Sequence, residues 1–174
     1  MEFLDTLLHR RSIRSFTGGD IPRGDVEKLL VAGMAGPAGK GKKPWRFVAV
    51  QNRDTIAKLA GARDPRQKLF DSASLAIVVF GDPSVSDTWV EDCSIAMANM
   101  HLAADAMGYG SCWVQVRMRT ACDGSPSVDY VRRVLGAPEG LVPEAMLVAG
   151  TIDAHPAPHT PADADLSLAS WESF

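Results

Sequence analysis

The run Leu75-Ala76-Ile77-Val78-Val79-Phe80-Gly81 restricts this chain more than any other segment. It has no polar side chain, is rich in β-branched residues, and ends at Gly81-Asp82-Pro83. It is far too short for a membrane-spanning helix and reads as a buried strand. Trp45 to Val50 reads as another strand, and Ala145 to Ala149 as the last core strand. Helices alternate with them. Phe3 to Leu8 places Phe3, Leu4, Leu7 and Leu8 on one side. A helix beginning near Pro22 carries Val26, Leu29, Leu30, Gly33 and Met34 as one stripe and is closed by Gly36-Pro37. Shorter helical segments are expected over Arg53 to Ala60 and Pro65 to Phe70, and one follows Pro126 through Leu135. The longest is expected over Thr88 to Met107, where Trp89, Cys93, Ala96, Met97, Met100, Ala103, Ala104 and Met107 give a broad face of small and apolar residues. Such a face allows another helix to approach closely, in the same chain or a partner. The pattern is α+β.

A chain of 174 residues, 46% hydrophobic and 22% charged, fits one domain with a continuous core. Eighteen basic against 21 acidic residues leave a net charge of −3, which gives no bulk attraction to nucleic acid or an anionic membrane. The opening MEFLDTLLHRR lacks the basic start and long apolar stretch of a secretory leader, so the cytoplasm is the expected location. Cys93, Cys112 and Cys122 show no CxxC spacing and read as small buried hydrophobes rather than as a disulfide framework or metal ligands. After Gly150, Pro156, Pro158 and Pro161 rule out a central strand or helix. Leu166, Leu168, Trp171 and Phe174 still supply apolar anchors, so residues 151–174 read as an extension docked on the domain or on a neighbouring subunit.

Three polar signals bear on chemistry. In Arg10-Arg11-Ser12-Ile13-Arg14-Ser15-Phe16, an extended backbone puts Arg10, Ser12 and Arg14 on one face and lets Ile13 point to the core. Two guanidinium forks and a hydroxyl suit a phosphate; a solvated basic turn is the alternative. Pro37-Ala38-Gly39-Lys40-Gly41-Lys42-Lys43-Pro44-Trp45 lacks a complete Walker sequence and follows no strand. Its glycines can present backbone N–H groups to an anion or planar heterocycle, or simply form an exposed connector. In Gly108-Tyr109-Gly110-Ser111-Cys112-Trp113-Val114-Gln115-Val116-Arg117-Met118-Arg119, alternation puts Gln115, Arg117 and Arg119 opposite Val116 and Met118. That fits either a half-buried edge strand or the lining of a polar site.

Taken together and in this order, the three segments resemble the FMN-dependent nitroreductase family, in particular its short members, over roughly Phe3 to Gly150. The resemblance implies a largely antiparallel central sheet flanked by helices, in an intertwined homodimer with FMN at the subunit interface. It assigns phosphate contacts to Arg10, Arg11, Ser12 and Arg14. It assigns the loop of the other subunit to Pro37, Ala38, Gly39, Gly41 and Lys43, and a strand passing beside the flavin ring to Ser111, Cys112, Trp113, Val114, Gln115 and Arg117. Ala38, Gly41 and Lys43 stand where the family usually has Ser, Asn and Gln. Residues 153–174 contain no Lys or Arg for the family's C-terminal phosphate contact, a role that Arg117 or Arg119 is positioned in sequence to fill.

The activity implied is electron transfer from NADH or NADPH to a small electron-poor acceptor such as a quinone or nitro compound. The flavin carries the hydride chemistry, so no catalytic side chain is required. Alternative activities are a low-turnover flavin-binding or redox-sensing dimer, and a flavin-dependent fragmentation or dehalogenation enzyme. Lys40, Lys42 and Lys43 either steer the anionic donor or form a solvated run. Cys112 is either a redox thiol or a compact packing residue; its place in the segment favours packing. Phe70, Trp89 and Tyr109 suit a substrate pocket and the core equally. His9, His101, His155 and His159 have no metal-ligand spacing and read as surface or locally bonded residues.

Overall fold

A computed structural model describes residues 3–174; Met1 and Glu2 lie outside the described residues. Strands β1 (Trp45–Val50), β2 (Leu75–Gly81), β3 (Gly110–Gln115) and β4 (Val142–Gly150) form one sheet in the order β1-β2-β4-β3, with every neighbouring pair antiparallel. The unbroken apolar run of β2 follows from cover on both faces. Leu75, Ile77 and Val79 enter one core with Val26 and Leu29 of helix α2 (Arg23–Met34) and with Ala96, Met97 and Met100 of α4 (Trp89–Ala106). Ala76, Val78 and Phe80 enter the other, with Ile56 and Leu59 of α3 (Arg53–Leu59) and Val131 of α5 (Ser127–Leu135). Each of the larger of these side chains, the Leu, Ile, Val, Met and Phe residues, contributes about 1.5–3 kcal/mol when fully withdrawn from water.

Helix α1 covers Phe3–His9, and the other helical expectations hold to within a residue or two, except that Pro65 to Phe70 is helical only as a 3₁₀ turn over Lys68–Asp71. Pro22 precedes α2, where a missing N–H costs nothing. The small-residue face of α4 receives α2: a Cβ on Gly33 would stand 3.0 Å from Met100 Cγ. Strand β4 starts earlier than its apolar run, taking in Val142, Pro143 and Glu144. Pro143 lies where the register with β2 shifts between Val79 and Phe80, a position that tolerates a residue without a donor. The expected alternation beyond β3 is overturned after Arg117. Met118 has φ of +59° and is exposed, so the chain turns away and Met118 does not share an apolar side with Val116.

Beyond β4 the chain returns along α1. Leu8 O accepts from His159 N at 2.9 Å, and Ala157 O accepts from the Arg11 guanidinium. Residues 160–174 are exposed, including Leu166, Leu168, Trp171 and Phe174. Among the described residues no helix is long and apolar enough to cross a membrane.

Where β3 begins, the backbone comes close to Ile13 and Ile152. A Cβ on Gly110 would sit 2.5 Å from Ile152 Cγ2 and 3.0 Å from Ile13 Cγ2. Gly110→Ala is expected to lower stability by about 1–3 kcal/mol through overpacking. Urea denaturation checks this, and an unchanged midpoint would show that the contact yields freely.

Candidate functional site

The N-terminal stretch after α1 is held by its apolar residues, which leaves its polar ones available. Ile13 and Phe16 are buried in the core under the sheet. Ile13 N donates to Ser111 O at 2.9 Å, Ser12 forms a parallel bridge with Ser111, and Thr17 N donates to Thr151 O at 2.9 Å. The stretch therefore lies against the free edge of β3. Ser12 and Arg14 are exposed and Arg10 and Arg11 half-buried; among the described residues none of the three arginines forms an ion pair, although the Arg11 charge helps lower the pKa of Asp163. By contrast, Arg23, Arg53, Arg66, Arg132 and Arg133 each form an ion pair. Guanidinium groups without ion pairs, beside a hydroxyl, form a donor set suited to a phosphate.

Behind these donors stands a histidine whose role the sequence does not disclose. Leu7, Arg10, Ser12, Ala98, His101, Leu102 and Trp113 line a cleft of about 360 Å³. Arg10 Nη1 lies 3.1 Å from His101 Nε2, and His101 Nδ1 lies 2.6 Å from Ser111 Oγ. Arginine only donates, so Nε2 accepts; the ring proton is then on Nδ1 and is donated to Ser111. Burial, reinforced by the Arg10 charge, lowers the His101 pKa to about 4 against a weaker opposing pull from Asp105. The imidazole is neutral at pH 7. It orients Arg10 without adding a charge of its own.

Along β3, Ser111 and Cys112 are buried, and Cys112 and Val114 pack in the core with Val116. Burial raises the Cys112 pKa, so its thiol is protonated at neutral pH, which suits packing rather than redox chemistry. Gln115 Oε1 accepts from Trp113 Nε1 at 2.9 Å, so the two polar side chains of this edge hold each other. Arg117 lies beyond the end of β3, six residues from Ser111, or about 20 Å of extended chain.

Residues 37–45 lie elsewhere. Gly39 to Gly41 form one 3₁₀ turn inside the expected loop, with φ of +53° at Lys40, +67° at Gly41 and +51° at Lys43. Gly39 N donates to Asp92 Oδ1 at 2.8 Å, and a Cβ there would strike Thr88 Oγ1 at 2.3 Å. Pro37 is exposed, Ala38 half-buried, and Lys40, Lys42 and Lys43 exposed. Asp92 precedes His101 by nine residues on α4, roughly 14 Å along its axis. A single subunit thus holds its loop and its arginines at separate stations on α4.

The remaining candidates are accounted for by packing. Phe70 is buried, Trp89 packs over Gly81, and Tyr109 OH donates to Asp25 Oδ2 at 2.6 Å. His9 and His155, unrelated by sequence spacing, converge on buried Asp105, with His9 Nδ1 2.6 Å from Oδ2 and His155 Nε2 2.8 Å from Oδ1. All three donor atoms lie within 4.8 Å of one another. The two rings are stacked at 4.1 Å and 24°. One ion cannot lie in two nearly parallel ring planes, so this geometry favours a hydrogen-bonded clasp over shared metal ligation.

Neutral His101 has a consequence for acid stability. Its folded pKa lies below the unfolded value of 6.5, so its contribution is complete above pH 6.5 and declines as pH falls toward 4. Relative to the wild type, His101→Gln is expected to gain up to about 3 kcal/mol between pH 7.5 and 4. Urea midpoints of both proteins at the two pH values check this; a pH-independent difference would refute a neutral buried ring.

The sequence profile of the Nitroreductase family matches residues 7–151. A protein of Archaeoglobus fulgidus, provisionally named NADH dehydrogenase/NAD(P)H nitroreductase, is 39% identical over 145 residues, which cover 81% of this chain and 80% of that protein. One of the same provisional name from Methanothermobacter thermautotrophicus is 31% identical over 98% of this chain and 88% of its own. An FMN-dependent nitroreductase structure from Clostridium difficile superposes with a TM-score of 0.94 at 30% identity, covering 99% of this chain and all of the other. On sequence and fold together, the chain belongs to the nitroreductase family.

Proposed function

We propose that this protein is an FMN-dependent oxidoreductase that passes electrons from NADH or NADPH to a small electron-poor acceptor, a quinone or nitro compound. The observation that carries the reading is the Ser12–Ser111 bridge, which brings the arginine-rich stretch and β3 to one edge. Arg10, Ser12 and Arg14, with Arg11 beside them, hold the FMN phosphate. The backbone of Ser111 to Gln115 lies along the flavin, and Arg117 stands beyond its far end. Gly110 has no Cβ where β3 meets Ile13, so the strand and the phosphate-binding stretch can lie in contact. When bound, FMN supplies a two-electron acceptor and donor at its ring. The protein needs only to anchor, orient and cover it.

The partner subunit supplies Pro37, Ala38, Gly39, Gly41 and Lys43. The separation of loop and arginines along α4 supports a site completed by a second copy. Ala38 and Gly41 offer backbone groups in place of side-chain donors. The exposed Leu7 of α1 and Leu166, Leu168 and Trp171 of the extension are suited to that partner, while residues 155–159 fasten the extension to its own domain. Unpaired Cys93, Cys112 and Cys122 suit a reducing cytoplasm.

Purified protein is expected to hold FMN at one per subunit in a dimer, with its visible absorbance bleached anaerobically by NADH or NADPH. Arg10→Ala is expected to weaken FMN about tenfold or more, the loss of one charge-assisted bond. Unchanged affinity in both Arg10→Ala and Arg14→Ala would remove the phosphate assignment; flavin that neither donor bleaches would remove the activity.

A further inference from the structure

Among the described residues, the arginines without ion pairs fall mainly into two groups. One is the phosphate-binding stretch. The other lies in the segments at the far end of β3: Arg63 and Arg119, with the Arg119 charge acting on Arg63, and Arg117, whose charge acts on buried Glu144. Arg63 follows the 3₁₀ turn Ala60–Ala62, and its Nη1 lies 3.4 Å from Gln115 O. That turn is tied to the segment after β3 by Asp64 N to Thr120 O at 3.0 Å, Cys122 N to Gly61 O at 2.9 Å and Cys122 Sγ to Arg63 O at 3.1 Å. These bonds hold two cationic segments side by side.

We propose that Arg63, Arg117 and Arg119 form an anion subsite for a phosphate or carboxylate carried by a small molecule that reacts at the flavin. The proposal rests on the flavin reading above for the identity of that reaction. Arg63 meets β3 at Gln115, four residues or about 13 Å of strand from the Ser12–Ser111 bridge, so the subsite serves a different anion from the FMN phosphate.

Three observations support it. First, the cluster lacks internal neutralisation. Asp123 is taken by Arg133, and among the described residues no carboxylate forms an ion pair with any of the three. Among the described residues the Arg119 side chain bonds only to Met118 O, at 3.1 Å. Secondly, the cations are held in place at a cost. Burial and then the Arg119 charge lower the pKa of the Arg63 guanidinium, and Arg117 Nε is buried without a hydrogen-bond partner. Met118 adopts positive φ between Arg117 and Arg119, an arrangement rare for a residue with a side chain. Thirdly, the nearby carboxyl is a weak counter-charge. Glu144 is 2% exposed, and its Oε2 has no partner. Burial raises its pKa to about 7, against lowering by the Gln115 amide, the Arg117 charge and Ser94. A ligand oxyanion would supply the charge that Glu144 only partly carries, and planar guanidinium forks match its geometry.

Calorimetry on the FMN-loaded protein tests this with two matched pairs, NADP⁺ against NAD⁺ and 4-nitrobenzoate against 4-nitrobenzamide. At least one charged member is expected to bind about tenfold more tightly than its partner, with the preference shrinking as salt is raised. A response in the first pair identifies the donor's phosphate, and one in the second the acceptor's carboxylate; either supports the subsite. Arg63→Gln is expected to abolish most of the preference while leaving FMN content and menadione reduction by NADH unchanged. Arg119→Gln, at an exposed position that folding does not require, is expected to reduce the preference too. Equal affinity within both pairs, or a preference untouched in both variants, would overturn the proposal. A failed flavin reading would show itself separately, as protein without flavin absorbance, whereas the calorimetric preference reports on the arginines alone.

Discussion

A four-stranded sheet covered on both faces is the constraint from which the rest of this molecule follows. Once β2 and β4 are dry on two sides, helices must close both layers, and only the edges of the sheet remain for chemistry. β3 is one of those edges, and a strand edge carries unsatisfied backbone groups. The stretch after α1 covers part of it, with Ile13 and Phe16 anchored in the core. Arginines that would otherwise form a mobile basic turn are thereby fixed at the sheet margin. Burial of two apolar side chains, rather than any polar contact, positions the candidate phosphate donors.

Helix α4 carries this logic onto its polar residues. Most of its inner face is small or apolar, yet Asp92, His101 and Asp105 are also buried. Each is satisfied by an element distant in sequence: the glycine loop at Asp92, Arg10 and Ser111 at His101, and His9 and His155 at Asp105. A buried polar side chain is expensive unless bonded, so these contacts select one docking arrangement for each element. The helix works as a spine with three attachment points. Their spacing along its axis separates the loop of one subunit from its own arginines.

Much of the fold was legible because it rests on periodicity. The apolar run of β2, the stripe of α2 and the broad face of α4 each follow from local pattern and burial. Legibility failed where local signals compete with tertiary context. Val142-Pro143-Glu144 reads as a poor strand, but a register shift accommodates the proline and Gln115 engages the buried carboxyl. The alternation after Gln115 promised more strand than exists, because Met118 takes a turn conformation that period two cannot foresee. At the site, residue types were informative and partners were not. Arg10 and Ser12 advertise themselves, whereas His101 sits in an apolar helical pattern. The pairing of His9 with His155 spans nearly the whole chain, and no sequence spacing signals it.

The two buried titratable groups beside this edge oppose each other in pH dependence. His101, with its pKa lowered to about 4, adds stability that grows as pH rises from 4 to 6.5, because the unfolded chain holds the extra proton there. Glu144, with its pKa raised to about 7, works in reverse. Its neutral form is favoured by folding, so its contribution is complete below pH 4.5 and is lost as pH rises through 7. Between pH 4.5 and 6.5 the slopes have opposite signs and tend to cancel. The wild-type profile can therefore look flat while both side chains are strongly perturbed, and only removal of one reveals the other. The physical cause is common to both: the interior favours the uncharged form of each, the base without its proton and the acid with it.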